Sequence, residues 1–250
     1  MKRTKKILSL ALCAVLLVAG TVATTVAYLT SQDEVVNNFT VGQVKISLDE
    51  AFVDEDGKVV EGEGAKRVQT NDYHLLPGHE YSKDPQVHIT KGSEDCYVRM
   101  FVTITHDDAW NDICDAHVDE NGKNLFGASE MFTGLSDNWK LHKIHVDEAE
   151  DNTRTYEFWY GSKVAGVTEK QDEDLETLFT GIKMPEELTN EDLAKLADNP
   201  ETEDVDEGFK IYVVAQAIQA DGFDSDADAF EAAPAITGVD LIPGVVTTTP

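Results

Sequence analysis

Apolar and polar side chains alternate with a period of two through the most regular segments of this 250-residue chain. Val44, Ile46 and Leu48 fall on one face of such a segment, and Gln43, Lys45 and Ser47 on the other. A helix would spread this pattern around its circumference, whereas a strand keeps the two sets apart, so a half-buried strand is predicted. Val98, Met100, Val102 and Ile104 alternate with Tyr97, Arg99, Phe101 and Thr103. Phe209, Ile211, Val213, Ala215 and Ala217 alternate with Lys210, Tyr212 and Gln216. Both segments read as central strands, because apolar residues occupy both of their faces. Shorter candidates lie at 87–90 and 156–160, where crowded aromatic residues suit a pleated surface better than a helix. Strands joined by long connections predict an all-β chain built as a sandwich.

Helical signal is local. Thr189 followed by Asp192 resembles an N-cap with an acid in the first turn, leading into Leu193 and Leu196 and a stop at Pro200. A second short helix is expected at 226–233, ended by Pro234. One or two short helices are therefore expected in all. Acid-rich stretches at 54–63, 147–151, 169–176 and 201–207 contain little that can be buried and read as long acidic loops. Within the first of them, Asp54-Glu55-Asp56-Gly57 has the composition of a hairpin turn. Residues 236–250 lack periodicity and read as a flexible tail after a domain spanning 40–235.

With 48 acids against 20 bases the formal charge is -28, which argues against a nucleic-acid partner, since a phosphate backbone would be repelled. The first 27 residues run against this balance: they contain Lys2, Arg3, Lys5 and Lys6 and no acid. A basic head, an apolar run at 7–18 and small residues at Thr25 and Ala27 make up a secretory signal, with cleavage preferred between Ala27 and Tyr28. The apolar run is too short to span a bilayer, and no later stretch is long enough, so no stable membrane span is expected after cleavage. Removing the leader takes the net charge from -28 to -32. At that charge copies repel one another, and their association is expected to need acid, salt or divalent cations.

Past the leader come Tyr28-Leu29-Thr30, then Asn38-Phe39-Thr40-Val41-Gly42 and the first strand candidate. Leu76-Pro77-Gly78, residues 81–87 and 92–100, Phe179-Thr180-Gly181-Ile182-Lys183 and Ala217-Ile218-Gln219-Ala220-Asp221-Gly222-Phe223 follow. This series resembles the TasA and camelysin family of exported Gram-positive proteins; residues 107–153 match it least. The resemblance implies a jelly-roll-like β-sandwich, processing by the dedicated signal peptidase SipW, and a place in the biofilm matrix or at the cell surface. It also implies self-association into fibres, alone or with related matrix proteins, in which the N-terminal segment of one copy completes the sheet of the next. The residues themselves fit that scheme. In segment 28–39 the apolar side chains of Tyr28, Leu29, Val35, Val36 and Phe39 have no neighbouring hairpin partner in sequence, and such a ribbon can add to an open sheet edge. The other reading is that it pairs within its own sheet.

The camelysin side of the family carries a metalloendopeptidase label, yet His-Glu-x-x-His is absent. His74 and His79 lie five apart and His142 and His145 three apart, odd spacings that place two strand side chains on opposite faces. These residues are expected to be polar loop groups, and His88 a solvent-facing strand residue. No metal, cofactor or catalytic role is expected. Asp224, Asp226 and Asp228 begin like a calcium loop, but Ala229 and Ala235 stand where glycine and glutamate are needed, so the acids read as the first turn of a helix. Cys96 and Cys114 survive leader removal. A disulfide between them would close an ~18-residue loop and contribute about 3 kcal/mol, while the alternative is a buried thiol in a strand. Trp110, Trp139 and Trp159 are expected in or near the core rather than on a carbohydrate-binding platform, the arrangement a non-polymerising surface adhesin would need.

Overall fold

The computed structural model describes residues 43–116, 131–147, 152–165, 172–197 and 208–233, all within the compact unit Gly42–Pro250. The leader with Ala27, the segment bearing Tyr28, Leu29, Val35, Val36 and Phe39, the tail at 236–250 and the acidic stretch at 201–207 lie outside the described residues.

Among the described residues the chain is all-β, with every strand pair antiparallel and three short helices. One sheet takes the order β2 (Arg67–Val68), β1 (Ile46–Ala51), β4 (Gln86–Ile89), β9 (Glu173–Asp174). A second is β3 (Glu80–Ser82), β10 (Gly181–Lys183), β6 (Phe132–Thr133). The third and longest runs β11 (Ile211–Gln219), β5 (Cys96–Thr105), β8 (Thr153–Tyr160), β7 (Trp139–Asp147). β9 falls inside an acid-rich stretch expected to be loop; its backbone groups find partners on β4, across from His88 and Ile89.

One apolar cluster draws on all three sheets. Cys96, Val98, Met100, Val102 and Ile104 form the inner face of β5, meeting Val87 and Ile89 of β4, Tyr81, Phe132 and Ile182. Phe132 stacks on Phe179 at 4.7 Å between ring centroids and meets Tyr156 edge-on at 5.8 Å. Each such side chain contributes about 1.5–3 kcal/mol by leaving water. The turn at Asp54 forms as expected: its carboxylate accepts from the N–H groups of Asp56 (3.1 Å) and Lys58 (2.9 Å). Gly57 sits there at φ 72°, and a Cβ would lie 2.3 Å from the buried Tyr81 ring, so only glycine fits.

Two helices match the sequence reading. In α2 (Asn190–Leu196) Thr189 and Asp192 form a reciprocal capping box, and α3 (Asp226–Ala232) starts from Ser225, whose hydroxyl accepts from the Asp228 N–H at 3.2 Å. The remaining helix, α1 (Asp107–Ala116), makes three where one or two were expected. It buries Trp110, Ile113 and Cys114, spaced as neighbours on one helix face, and Trp110 stacks on Phe209 at 5.5 Å. Arg154 of β8 anchors its start, donating to the fully buried Asp107 carboxylate at 2.6 and 3.1 Å. A second buried pair joins Lys83 to Glu50 of β1, with Asn71 donating to the other Glu50 oxygen at 2.9 Å.

Candidate functional site

β11 is apolar on both faces, as a central strand should be, but it stands at the end of its sheet. Its one strand partner among the described residues is β5, which corrects the central position expected for it. The ladder shows which backbone groups are left over. Thr105 N–H donates to the Lys210 carbonyl at 3.1 Å, and Ala220 N–H donates to the Asp95 carbonyl at 2.7 Å. In an antiparallel pair the bonded positions alternate, so even-numbered β11 residues exchange hydrogen bonds with β5. The N–H and C=O groups of Ile211, Val213, Ala215, Ala217 and Gln219 therefore point away from β5. The side chains of the first four pack against the core from this edge while staying only half-buried. β1 of the first sheet lies beside β11. The result is a nine-residue strand edge offering five outward residues and a partly open apolar row.

On the other face of the same sheet α3 packs over β5, β8 and β11 through Phe230. Arg99 of β5 donates to Gln216 of β11 at 2.8 Å and to Glu157 of β8 at 2.9 Å, and lies 4.6 Å from the Phe230 ring centroid. Glu157 also accepts from Trp159 Nε1 at 2.7 Å and lies 2.9 Å from His145 Nε2. Burial works to raise the Glu157 carboxyl, but the bonds from Trp159, His145 and Arg99 outweigh it and hold it below the usual range. This cluster locks β11, β5 and β8 together and presents the β11 edge on a rigid support.

His142 and His145 are on β7, not in a loop, and both lie on the outer face of the sheet. His142 stacks on Trp159 at 3.7 Å, and Trp159 shares its face with Glu157, the partner of His145. The odd spacing fails to separate them because of a β-bulge between Leu141 and Lys143, which inserts one residue and shifts the alternation. His74 and His79 are outside the strands, with His79 Nε2 3.1 Å from the Asp56 carbonyl. Asp226 and Asp228 occupy the first turn of α3. Trp110 and Trp139 are buried, and Trp159 is half-buried against Phe230.

Cys96 and Cys114 are both buried thiols with no disulfide between them. Burial, with Asp95 and Glu173 adding to it, pushes the Cys96 thiol up to about 11, which suppresses the reactive thiolate. Thiol titration of the chain freed of residues 1–27 should find no fast-reacting group in the native state and two after denaturation without reductant. One disulfide per chain would contradict this.

His88 is not a simple solvent-facing residue. Its two ring nitrogens lie 2.9 Å from Asp49 of β1 and 2.6 Å from Asp174 of β9, and its side chain is 13% exposed. Arg67 and Asp84 extend the cluster at 2.9 Å. Burial works to lower the His88 ring's affinity for a proton, but the bonds to Asp174 and Asp49 outweigh it and raise it. Burial likewise works to raise Asp49, yet the bonds from Arg67 and His88 hold it low. The histidine's contribution is complete below the ordinary histidine range and lost as pH rises through its raised value. That of Asp49 is complete above the ordinary carboxylate range and lost as pH falls through its lowered value. The clasp should thus stabilise most between about pH 4 and pH 6.5. The melting-temperature gap between wild type and His88→Gln is expected to shrink as pH rises from about 6 to about 8. A gap independent of pH would refute it.

Among the described residues no group of three or more His, Cys, Asp or Glu is placed to hold a metal ion, and no helix is long and apolar enough to cross a membrane. No protein-family model matches the chain, and no curated protein or solved structure does.

Proposed function

We propose that this chain is an exported, non-enzymatic structural subunit of extracellular fibres, of TasA and camelysin type, with its strands arranged as a jelly-roll-like β-sandwich. Cleavage between Ala27 and Tyr28 by a SipW-type peptidase frees segment 28–39, which adds as a strand to the sheet of another copy. The observation that supports this reading most directly is the β11 edge: a strand of central composition with no second hydrogen-bonded strand among the described residues. Main-chain hydrogen bonds to the outward groups of Ile211, Val213, Ala215, Ala217 and Gln219 supply the affinity. Tyr28, Leu29, Val35, Val36 and Phe39 supply side chains that cover the half-buried row and set the register. Donor and acceptor are different surfaces, so the contact repeats without closing and builds a filament.

Electron microscopy and light scattering on the chain freed of residues 1–27, beside one also lacking residues 28–39, test the proposal. Filaments are expected from the first alone, and more of them as salt screens the acid excess. If the first stays monomeric under all conditions, segment 28–39 is held in its own fold and the reading fails.

A further inference from the structure

The third sheet has a second edge without a strand partner among the described residues, and its chemistry contrasts with the acid excess of the chain. β7 is nine residues long and pairs with β8 on one side, with no strand on its other side among the described residues. Across from Phe158, Tyr156 and Arg154 it places Leu141, Ile144 and Val146, which are 52%, 43% and 45% exposed. Across from Trp159, Glu157 and Thr155 it places Lys140, Lys143 and His145, and the bulge turns His142 to the same side. Two lysines and two histidines thus share one face of one strand, His145 beside Glu157, in a chain whose Asp and Glu number 48 against 20 Lys and Arg. Lys140 and Lys143 are exposed, and neither makes an ion pair with a described residue.

Lysines on an edge strand ordinarily ward off other copies by like-charge repulsion. Here the copies are acidic, so the same lysines attract them. Two β7 edges cannot pair with each other, because that would set the basic faces together. We infer that β7 is an interaction surface for a second copy of this chain, which adds an acidic extended stretch beside the strand, its acids on the basic face and its apolar side chains over Leu141, Ile144 and Val146 on the other. The contact is separate from the β11 edge, at the opposite end of the same sheet. Both edges can be occupied at once, and the surface fits lateral association.

The test mixes isotopically light and heavy copies freed of residues 1–27 and joins amines to carboxylates with a zero-length carbodiimide. Light-to-heavy cross-links from Lys140 or Lys143 to Asp or Glu are expected at low salt. They should fall about tenfold at 1 M salt, where the Debye length is roughly 3 Å. A Lys140→Glu/Lys143→Glu chain should melt as wild type does and sediment as a less associated species, and Ile144→Ser should weaken association without changing charge. The cross-links should persist when the β11 edge is blocked by Ala215→Pro. The inference is overturned by cross-links within single copies only, by their loss in the Ala215→Pro chain, or by unchanged association of the double variant. Binding of anionic phospholipid vesicles without light-to-heavy cross-links would also overturn it.

Discussion

Ala215→Pro should abolish filament formation while leaving the subunit folded. Ala215 is one of the β11 residues whose N–H points away from β5, so the substitution removes no hydrogen bond of the ladder. Proline is tolerated on an edge strand in that orientation. What it removes is a donor that an incoming strand needs, and its ring stands where that strand's backbone must approach. Gln216→Pro one position later is the control. Gln216 exchanges main-chain hydrogen bonds with Arg99, and its side chain accepts from the same arginine at 2.8 Å. Proline there removes a ladder hydrogen bond and should destabilise the protein far more than Ala215→Pro does. Melting curves and electron microscopy on both variants read the difference. Filaments from Ala215→Pro as abundant as from wild type would remove β11 as the acceptor.

Lys83→Met is expected to be the most destabilising single change among the charged residues. The Lys83 and Glu50 side chains are each 7% exposed, and their pairing links β1 to the end of β3. Removing the ammonium leaves a buried carboxylate with the Asn71 amide still donating to it, at a cost of about 3–5 kcal/mol. Replacing both partners has a different outcome. Glu50→Leu/Lys83→Met removes both charges, and Asn71 keeps its bond to the Ala51 carbonyl at 2.9 Å. The double variant should recover most of the loss and can exceed wild type. Urea unfolding of the three chains gives the coupling directly, and additive effects would show that the pair does not act as a unit.

Legibility in the sequence followed the range of the interactions involved. β5 and β11 could be read because alternation is written into neighbouring residues, and α2 because Thr189 and Asp192 carry both halves of its cap. α1 is hard to read although Trp110, Ile113 and Cys114 show helical spacing, since its anchor is Arg154, 47 residues away. β7 is illegible in sequence because Leu141, Ile144 and Val146 do not keep one parity, and only pairing with β8 reveals the bulge that restores it. The edge position of β11 was illegible for a different reason. Strand order is decided by which strands meet across the whole fold, and nothing within residues 211–219 distinguishes a strand paired on both sides from one paired on a single side.

His142 behaves as a spare letter in β7. Without it the chain would read Lys-Leu-Lys-Ile-His-Val, a uniform two-beat rhythm with the same residues inward and outward. Such a ribbon would lie straighter and offer a foreign backbone an unbroken edge along its full length, leaving its lysines as the check on which backbone adds to it. One inserted histidine thus separates a rim interrupted partway from one that would greet its visitors without a break.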